Sequence, residues 1–233
     1  MCSNIQIISI EGNIGSGKST LLENLRLHFQ DCKNIVFLKE PVDEWAKIKD
    51  ENGVTMLEKF YKDQKKYSFS FQMMAYISRL TILKQTVEKI QQDSISLNLD
   101  KPFIIISERS LYTDRYVFAQ MLHDTGNLEF IQLQIYLKWF DEFVKQYPIN
   151  KMIYVKTSPE ICHFRILKRS RTGEDEIPLE YLDLCDKYHN TMLNTDSTNC
   201  VCKQQLILNG NSDIYEDTNE LEKWIEEIKN FIY

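Results

Sequence analysis

The sequence predicts an α/β fold, a five-stranded parallel sheet covered by helices on both faces. Three observations predict it. Short apolar runs recur at residues 5–10, 35–38, 103–107, 151–156 and 205–208, with helical spacing between them. The run Phe103-Ile104-Ile105-Ile106-Ser107 is continuous rather than alternating, as a strand buried on both faces requires. The first run leads straight into a glycine motif and then a helix, an order typical of nucleotide-binding sheets. A chain of 233 residues suffices for one such domain and not for two large ones, so we expect a single domain over 1–233.

The first strand, Ile5 to Ile10, is followed by Gly12-Asn13-Ile14-Gly15-Ser16-Gly17-Lys18-Ser19-Thr20, which fits G-x-x-x-x-G-K-[ST]. Leu21, Leu22, Leu25 and Phe29 then recur at helical spacing, so a helix begins near Lys18. Glycines let backbone N–H groups turn inward around phosphate oxygens, and the helix N-terminus adds positive potential. Lys18 would reach the β- and γ-phosphates and the Ser19 hydroxyl would ligate Mg²⁺. Three of the chain's seven glycines, Gly12, Gly15 and Gly17, fall in this motif. A chance glycine turn would not carry the matching strand and helix, and the reading is a nucleoside triphosphate site.

The second strand, Ile35 to Leu38, ends near Glu40-Pro41, and Pro41 holds Glu40 extended at the edge where open α/β sheets bind ligands. A solvated loop carboxylate is the equal alternative. Thr55 to Lys66 reads as a polar helix, and Phe69 to about Gln92 as a longer one. Within the latter Gln72, Ala75 and Arg79 share a face, and that spacing alone favours a surface face. After the third strand come Glu108, Arg109, Asp114 and Arg115, charges at the mouth of a central strand that burial would penalise without a ligand or metal. Helices over about Ser110–His123 and Leu128–Gln146 precede the strand Lys151 to Lys156. Ser158-Pro159-Glu160 then opens a helix ending in Arg165, Lys168, Arg169 and Arg171, before a polar segment from Thr172 to Glu176. A basic helix end is favoured by the macrodipole, but beside a phosphate loop it reads as a short lid, about 165–177. Ile177-Pro178 starts a helix to about Asn194, 195–204 is a polar loop, 205–208 is the last strand, and a helix over about Glu216–Phe231 closes the chain.

The net charge of −6 argues against a nucleic-acid polymer as partner. No apolar run approaches the ~20 residues of a membrane span. A first strand starting at Ile5 leads us to expect no signal or transit peptide, and so the cytosol. The six cysteines form no C-x-x-C pair and read as free thiols without assigned function.

Together these residues resemble the deoxynucleoside kinase family, in particular its deoxycytidine, deoxyguanosine and deoxyadenosine kinase branch. The resemblance rests on Glu11 to Thr20, Glu40-Pro41-Val42 with Trp45, and Phe69-Ser70-Phe71-Gln72. It continues through Glu108-Arg109-Ser110 with Asp114-Arg115-Tyr116, and Arg165 to Leu182. It implies a P-loop kinase architecture, transfer of the γ-phosphate of ATP or UTP to the 5′-hydroxyl of a deoxynucleoside, Mg²⁺ as cofactor, a homodimer, and a role in nucleotide salvage. The resemblance implies Glu40 near the 5′-hydroxyl and Glu108 on Mg²⁺; either can be the base, with Glu40 preferred. Arg109 would orient Glu40, and Arg165 and Arg169 would clamp the triphosphate. Tyr61 and Glu174 match positions that hold the 3′-hydroxyl. The base pocket would be Trp45, Leu57, Tyr61, Gln72, Arg79, Asp114 and Phe118. Gln72 offers donor and acceptor together, Asp114 only accepts and Arg79 only donates, which favours deoxycytidine and purine deoxynucleosides over thymidine. One departure stands out: Asn211-Ser212-Asp213-Ile214, where the family packs the donor's adenine, lacks the expected acidic and aromatic residues.

Two other readings compete. A nucleoside monophosphate kinase shares the sheet and phosphate loop, but its acceptor phosphate needs cations where Glu40, Glu108 and Glu174 stand. A non-catalytic nucleotide switch would have no use for the Gln72–Arg79–Asp114 set.

Overall fold

The computed structural model describes residues 5–97, 102–171, 174, 177–198, 200–214 and 218–233. Five strands, β1 (Ile5–Glu11), β2 (Ile35–Leu38), β3 (Phe103–Glu108), β4 (Lys151–Lys156) and β5 (Gln205–Asn209), form one sheet in the order β2-β3-β1-β4-β5. All four pairings are parallel. Alternation along the strands sorts the side chains to two faces. Ile8, Ile10, Ile104, Ile106, Ile153 and Val155 pack with α1 (Lys18–His28) and α10 (Thr218–Ile232) on one face. Ile7, Phe103 and Ile105 pack on the other against Leu83, Val87 and Ile90 of the long helix α4 (Gln64–Leu97). Met152 and Tyr154 meet Met192 of α9 (Leu179–Met192) on that same face. With both faces covered, β3 is buried along its whole length, as its unbroken apolar run requires.

Each predicted strand is present, and the differences lie among the helices. The polar helix expected over Thr55–Lys66 is instead α3 (Met56–Lys62), which follows the short α2 (Val42–Trp45) and opens with a Thr55/Glu58 capping box. Asp63, at φ −147 and ψ 80, breaks the chain there, and its carboxylate accepts from the Lys66 N–H, so α4 starts before Phe69. After β3 the expected single helix is composite: α5 (Leu111–Thr113), a π-helix (Asp114–Ala119) and α6 (Gln120–Asp124). The next, α7 (Phe130–Phe143), ends in a 3₁₀ turn over Val144–Gln146. Of the segment expected as a lid, about 165–177, the part from Arg165 to Arg169 is the last stretch of α8 (Pro159–Arg169), a regular helix. Of that lid, Thr172, Gly173, Asp175 and Glu176 lie outside the described residues. Among the described residues no helix is long and apolar enough to cross a membrane.

This topology positions the site. Register pairs Ile10 with Glu108 and Leu38 with Ser107, so β1, β2 and β3 end level with one another. From β1 the chain turns to α1 on one face, and from β3 it turns to α5 on the other. Neighbouring loops therefore part, and a crevice opens at the carboxyl ends of the strands.

Candidate active site

A cavity of about 370 Å³ occupies that crevice. Of the residues read as site residues, all line it except Gly12 and Asn13, which turn to the protein interior. The loop geometry explains why two of its glycines are required. Gly12 has φ 146, and a Cβ there would sit 2.6 Å from the Val155 carbonyl oxygen; one on Gly15, at φ 78, would sit 2.5 Å from that of Cys162. The loop is thus pressed against β4 and α8. Lys18 is buried, its Nζ donating to the Asn13 carbonyl at 2.6 Å and lying 3.4 Å from Ser16 Oγ. Burial, with the Arg109 charge adding to it, lowers the Lys18 pKa to about 8. The Ser19 hydroxyl donates to Glu108 Oε1 at 2.5 Å, joining the start of α1 to the end of β3.

One end of the cavity is built around Arg79. Expected on a surface face from its spacing, Arg79 is buried, as are Gln72 and Ala75, because this face of α4 turns toward the crevice. Its Nε and Nη2 donate to Asp114 at 3.0 and 3.4 Å, Nη2 also donates to Glu40 Oε1 at 2.9 Å, and Nη1 to the Glu108 carbonyl at 2.8 Å. Four of the five N–H groups of a guanidinium thereby have protein acceptors. Arg109 Nε reaches the same Glu40 oxygen at 3.3 Å. Burial alone would raise the Glu40 pKa, but Arg109, Arg79 and Lys18 outweigh it and bring it down to about 2. Asp114 goes the other way: burial lifts it, and Arg79, whose charge it shares with Glu40, does not fully offset that. One guanidinium serves two carboxylates, and the one with further cations beside it takes the larger benefit.

Arg109 is held by its backbone as well as by its side chain. Its φ of 63 lies in the left-handed region, a strain of order 1–3 kcal/mol that persists only where the surroundings enforce it. Here its N–H donates to Ile10 at 2.9 Å, and its carbonyl accepts from the Ser107 hydroxyl at 2.9 Å. The guanidinium donates to the Gly12 carbonyl at 2.9 Å and lies 4.9 Å from the Phe118 ring centre. Arg115, from the same charged segment, turns away to Gln120 at 2.9 Å and has no place in the site.

The cavity wall is aromatic. Trp45 meets Phe71 edge-on, and Phe71 stacks on Phe60 at 4.4 Å. Tyr61 packs edge-on against Tyr181, and burial, with the Glu174 charge, pushes its phenol pKa up, so it stays a donor. Gln72 carries a buried side-chain oxygen without a protein partner among the described residues. An amide oxygen in a cavity wall can accept a hydrogen bond from a donor that enters the cavity. At the opposite end Arg165 donates to the Gly210 and Ser212 carbonyls at 2.8 and 3.1 Å, and Glu174 pairs with both Arg169 and Arg171.

The sequence reading missed several of these groups. Phe60, Phe71, Tyr181 and Arg171 line the cavity without having been read as site residues, although Phe71 stands in a quoted motif and Arg171 in the basic cluster. Trp224 of α10 also lines it, packed in one cluster with Ile214 of the 211–214 segment. Arg171 had a signal, as the last cation of the basic cluster; Trp224, far beyond the lid in sequence, had none.

Comparison with known proteins agrees with this geometry. The deoxynucleoside kinase family model matches residues 8–233. The probable deoxycytidine kinase of Fowlpox virus is 34% identical, over 97% of this chain and 87% of its own length. Deoxycytidine kinase of Homo sapiens is 31% identical, covering 99% and 92%. The mitochondrial deoxyguanosine kinase of Xenopus laevis is 30% identical over 83% and 75%. A phosphate loop, a buried carboxylate–arginine array and an aromatic pocket at one sheet edge, matched over nearly the whole chain, show that it belongs to the deoxynucleoside kinase family.

Proposed function

We propose that this kinase transfers the γ-phosphoryl group of ATP or UTP to the 5′-hydroxyl of deoxycytidine and purine deoxynucleosides in preference to thymidine, in nucleotide salvage. The observation that carries the reading is the buried set of Gln72 with its open oxygen, Asp114 and Arg79 along one cavity wall. Asp114 accepts from an exocyclic amine, Gln72 pairs with a base edge, and Arg79 retains an N–H for a ring acceptor. Thymine presents a carbonyl where the amine would be, and a mispaired buried polar group costs about 1–3 kcal/mol, a tenfold or larger preference.

In the transfer, the 5′-oxygen bonds to the γ-phosphorus, the bond from that phosphorus to the β,γ-bridging oxygen breaks, and the hydroxyl proton passes to Glu40. Both arginines bond Oε1 of Glu40, so Oε2 is the oxygen that meets the hydroxyl. A pKa near 2 makes Glu40 a weak base but keeps it ionised throughout the working pH range, which suits a loose transition state with late proton transfer. Arg109 stabilises charge on the transferring group. Lys18, Arg165 and Arg169 exchange their present partners for phosphate oxygens. Tyr61 and Glu174 hold the 3′-hydroxyl. The adjoining Ser19 hydroxyl and Glu108 carboxylate are hard oxygen donors that fit Mg²⁺, which needs few protein ligands beside phosphate and water. Bound there, the ion would supply neutralisation of the phosphate charge.

A second copy of the chain is the partner we propose for α7. Ile131, Ile135 and Trp139 stand exposed along one side of that helix, with Ile77 exposed on the adjacent α4. An apolar stripe of this kind suits a two-fold helix interface. Sedimentation should give a dimer that Ile135→Glu dissociates.

The test of activity is transfer from ATP to each of the four deoxynucleosides in parallel, with deoxycytidine monophosphate and thymidylate as controls. Phosphorylation of deoxycytidine and the purines, with thymidine at least tenfold slower, is expected. Activity on the monophosphates alone would overturn the assignment.

A further inference from the structure

Beside Arg109 lies a histidine that none of the roles above uses. His189, on α9, is fully buried. Its ring stacks parallel to Tyr154 and meets Phe118 edge-on, each at 6.4 Å between centres. Nδ1 lies 2.7 Å from the Cys185 carbonyl oxygen, a group that can only accept, so Nδ1 carries the proton. Nε2 is then the acceptor, and it faces Nη1 of Arg109 at 3.4 Å. Burial first, and the Arg109 charge second, push the ring pKa well below its ordinary value, so the lone pair stays available. The same Nη1 spends its other hydrogen on the Gly12 carbonyl at 2.9 Å.

We infer that His189 is a positioning residue for Arg109, accepting from Nη1 and so fixing the guanidinium plane that faces Glu40. Without that acceptor the guanidinium keeps its contacts to Gly12 and Phe118 but can pivot about them, which moves Nε relative to Glu40. The same helix grips the phosphate loop, since Asn13 Nδ2 donates to the Leu182 carbonyl at 2.8 Å. One helix thus references the donor loop and the catalytic arginine to a common frame. The inference deepens the proposed phosphoryl transfer and rests on it for the role of Arg109.

Two variants separate positioning from bulk. His189→Leu fills similar volume without an acceptor; His189→Gln returns an oxygen near the place of Nε2. With deoxycytidine and ATP, His189→Leu is expected to lower kcat about tenfold or more while both KM values stay within about twofold, and His189→Gln to recover most of the loss. Nitrogen-15 NMR gives a second readout: restricted rotation of the Arg109 guanidinium in the unaltered protein, relaxed in His189→Leu. Equal losses in both variants that follow a fall in melting temperature would overturn the inference, as would unchanged Arg109 signals in His189→Leu. If the unaltered protein phosphorylates no deoxynucleoside, the activity reading fails by itself and the NMR result alone decides the positioning.

Discussion

At the end of the cavity proposed for the acceptor, Glu40 and Asp114 share Arg79, and Arg109 completes the array, so each of these charges has an opposite partner within 3.4 Å. At the donor end, Lys18 and Arg165 lean on backbone carbonyls, and Arg169 and Arg171 divide one carboxylate, Glu174. The first arrangement is electrostatically complete and suits an incoming molecule without net charge. The second holds cations on weak partners that a polyanion replaces. Breaking a buried ion pair costs several kcal/mol, whereas exchanging a carbonyl for a phosphate oxygen is favourable. One protein thus prepares for its two substrates by opposite means, pairing on one side and holding charge ready on the other.

The sharpest way to break this contrast is Glu40→Gln. It removes the proposed base and leaves Arg109 facing a neutral amide, and kcat should fall by about 10²–10⁴-fold with nucleoside binding still measurable by calorimetry. A fall below tenfold would move the base role to Glu108. Because the folded-state pKa of Glu40 is near 2, its stabilising contribution is complete above its unfolded value near 4.5 and is lost as pH falls through about 2. A limb in kcat between pH 5 and 7 must then belong to another group.

Asp114→Ala probes whether the acceptor end works as a unit. Arg79 keeps Glu40 but loses the acceptors of its Nε and one Nη2 hydrogen, which should cost about 1–3 kcal/mol in thermal or denaturant melts. Arg79→Leu combined with Asp114→Ala should recover much of that loss and admit thymidine at a rate approaching that for deoxycytidine. A double variant no more stable than the single would show that Glu40 is the more important partner of Arg79.

On the donor side the probe is pH. The Lys18 pKa of about 8 lies below the ordinary 10.5, so between those values the unfolded chain keeps a proton that the folded one has released. Raising pH through that window stabilises the free protein, while donor binding, which needs the charge, weakens. Calorimetry at pH 8.5 in buffers of different ionisation enthalpy should therefore record proton uptake on ATP binding. The smallest expected effect is that of Glu174→Gln. Arg169 and Arg171 are released, the KM for nucleoside rises a few-fold through a weakened hydrogen bond, and the KM for donor stays level or falls.

Much of this organisation was legible in the residues. Unbroken or alternating apolar runs marked all five strands, and the glycine motif located the phosphate loop, because each depends on local sterics and periodicity. Arg79 shows where such reading stops. Its spacing with Gln72 and Ala75 identifies a shared helix face, but which way that face turns is decided by α4 packing across β3 and α7. Asp63 is similar: an aspartate inside a polar helical stretch is ordinary until its side chain caps the next helix. His189 and Trp224 were out of reach, since each meets the site only because α9 and α10 return to the sheet edge from far along the chain.

The π-helical segment Asp114–Ala119 makes chain length, and not only residue identity, a variable of the pocket. A π turn holds more residues than an α turn, so excising one residue there, Val117 for example, would let α5 and α6 join as regular α-helix. Asp114 and Phe118, which now line one cavity four positions apart, would then stand at i and i+3 of an α-helix, which changes their relative height and direction. The cavity wall proposed to read the base is therefore open to remodelling by insertion and deletion, at the segment that carries Asp114.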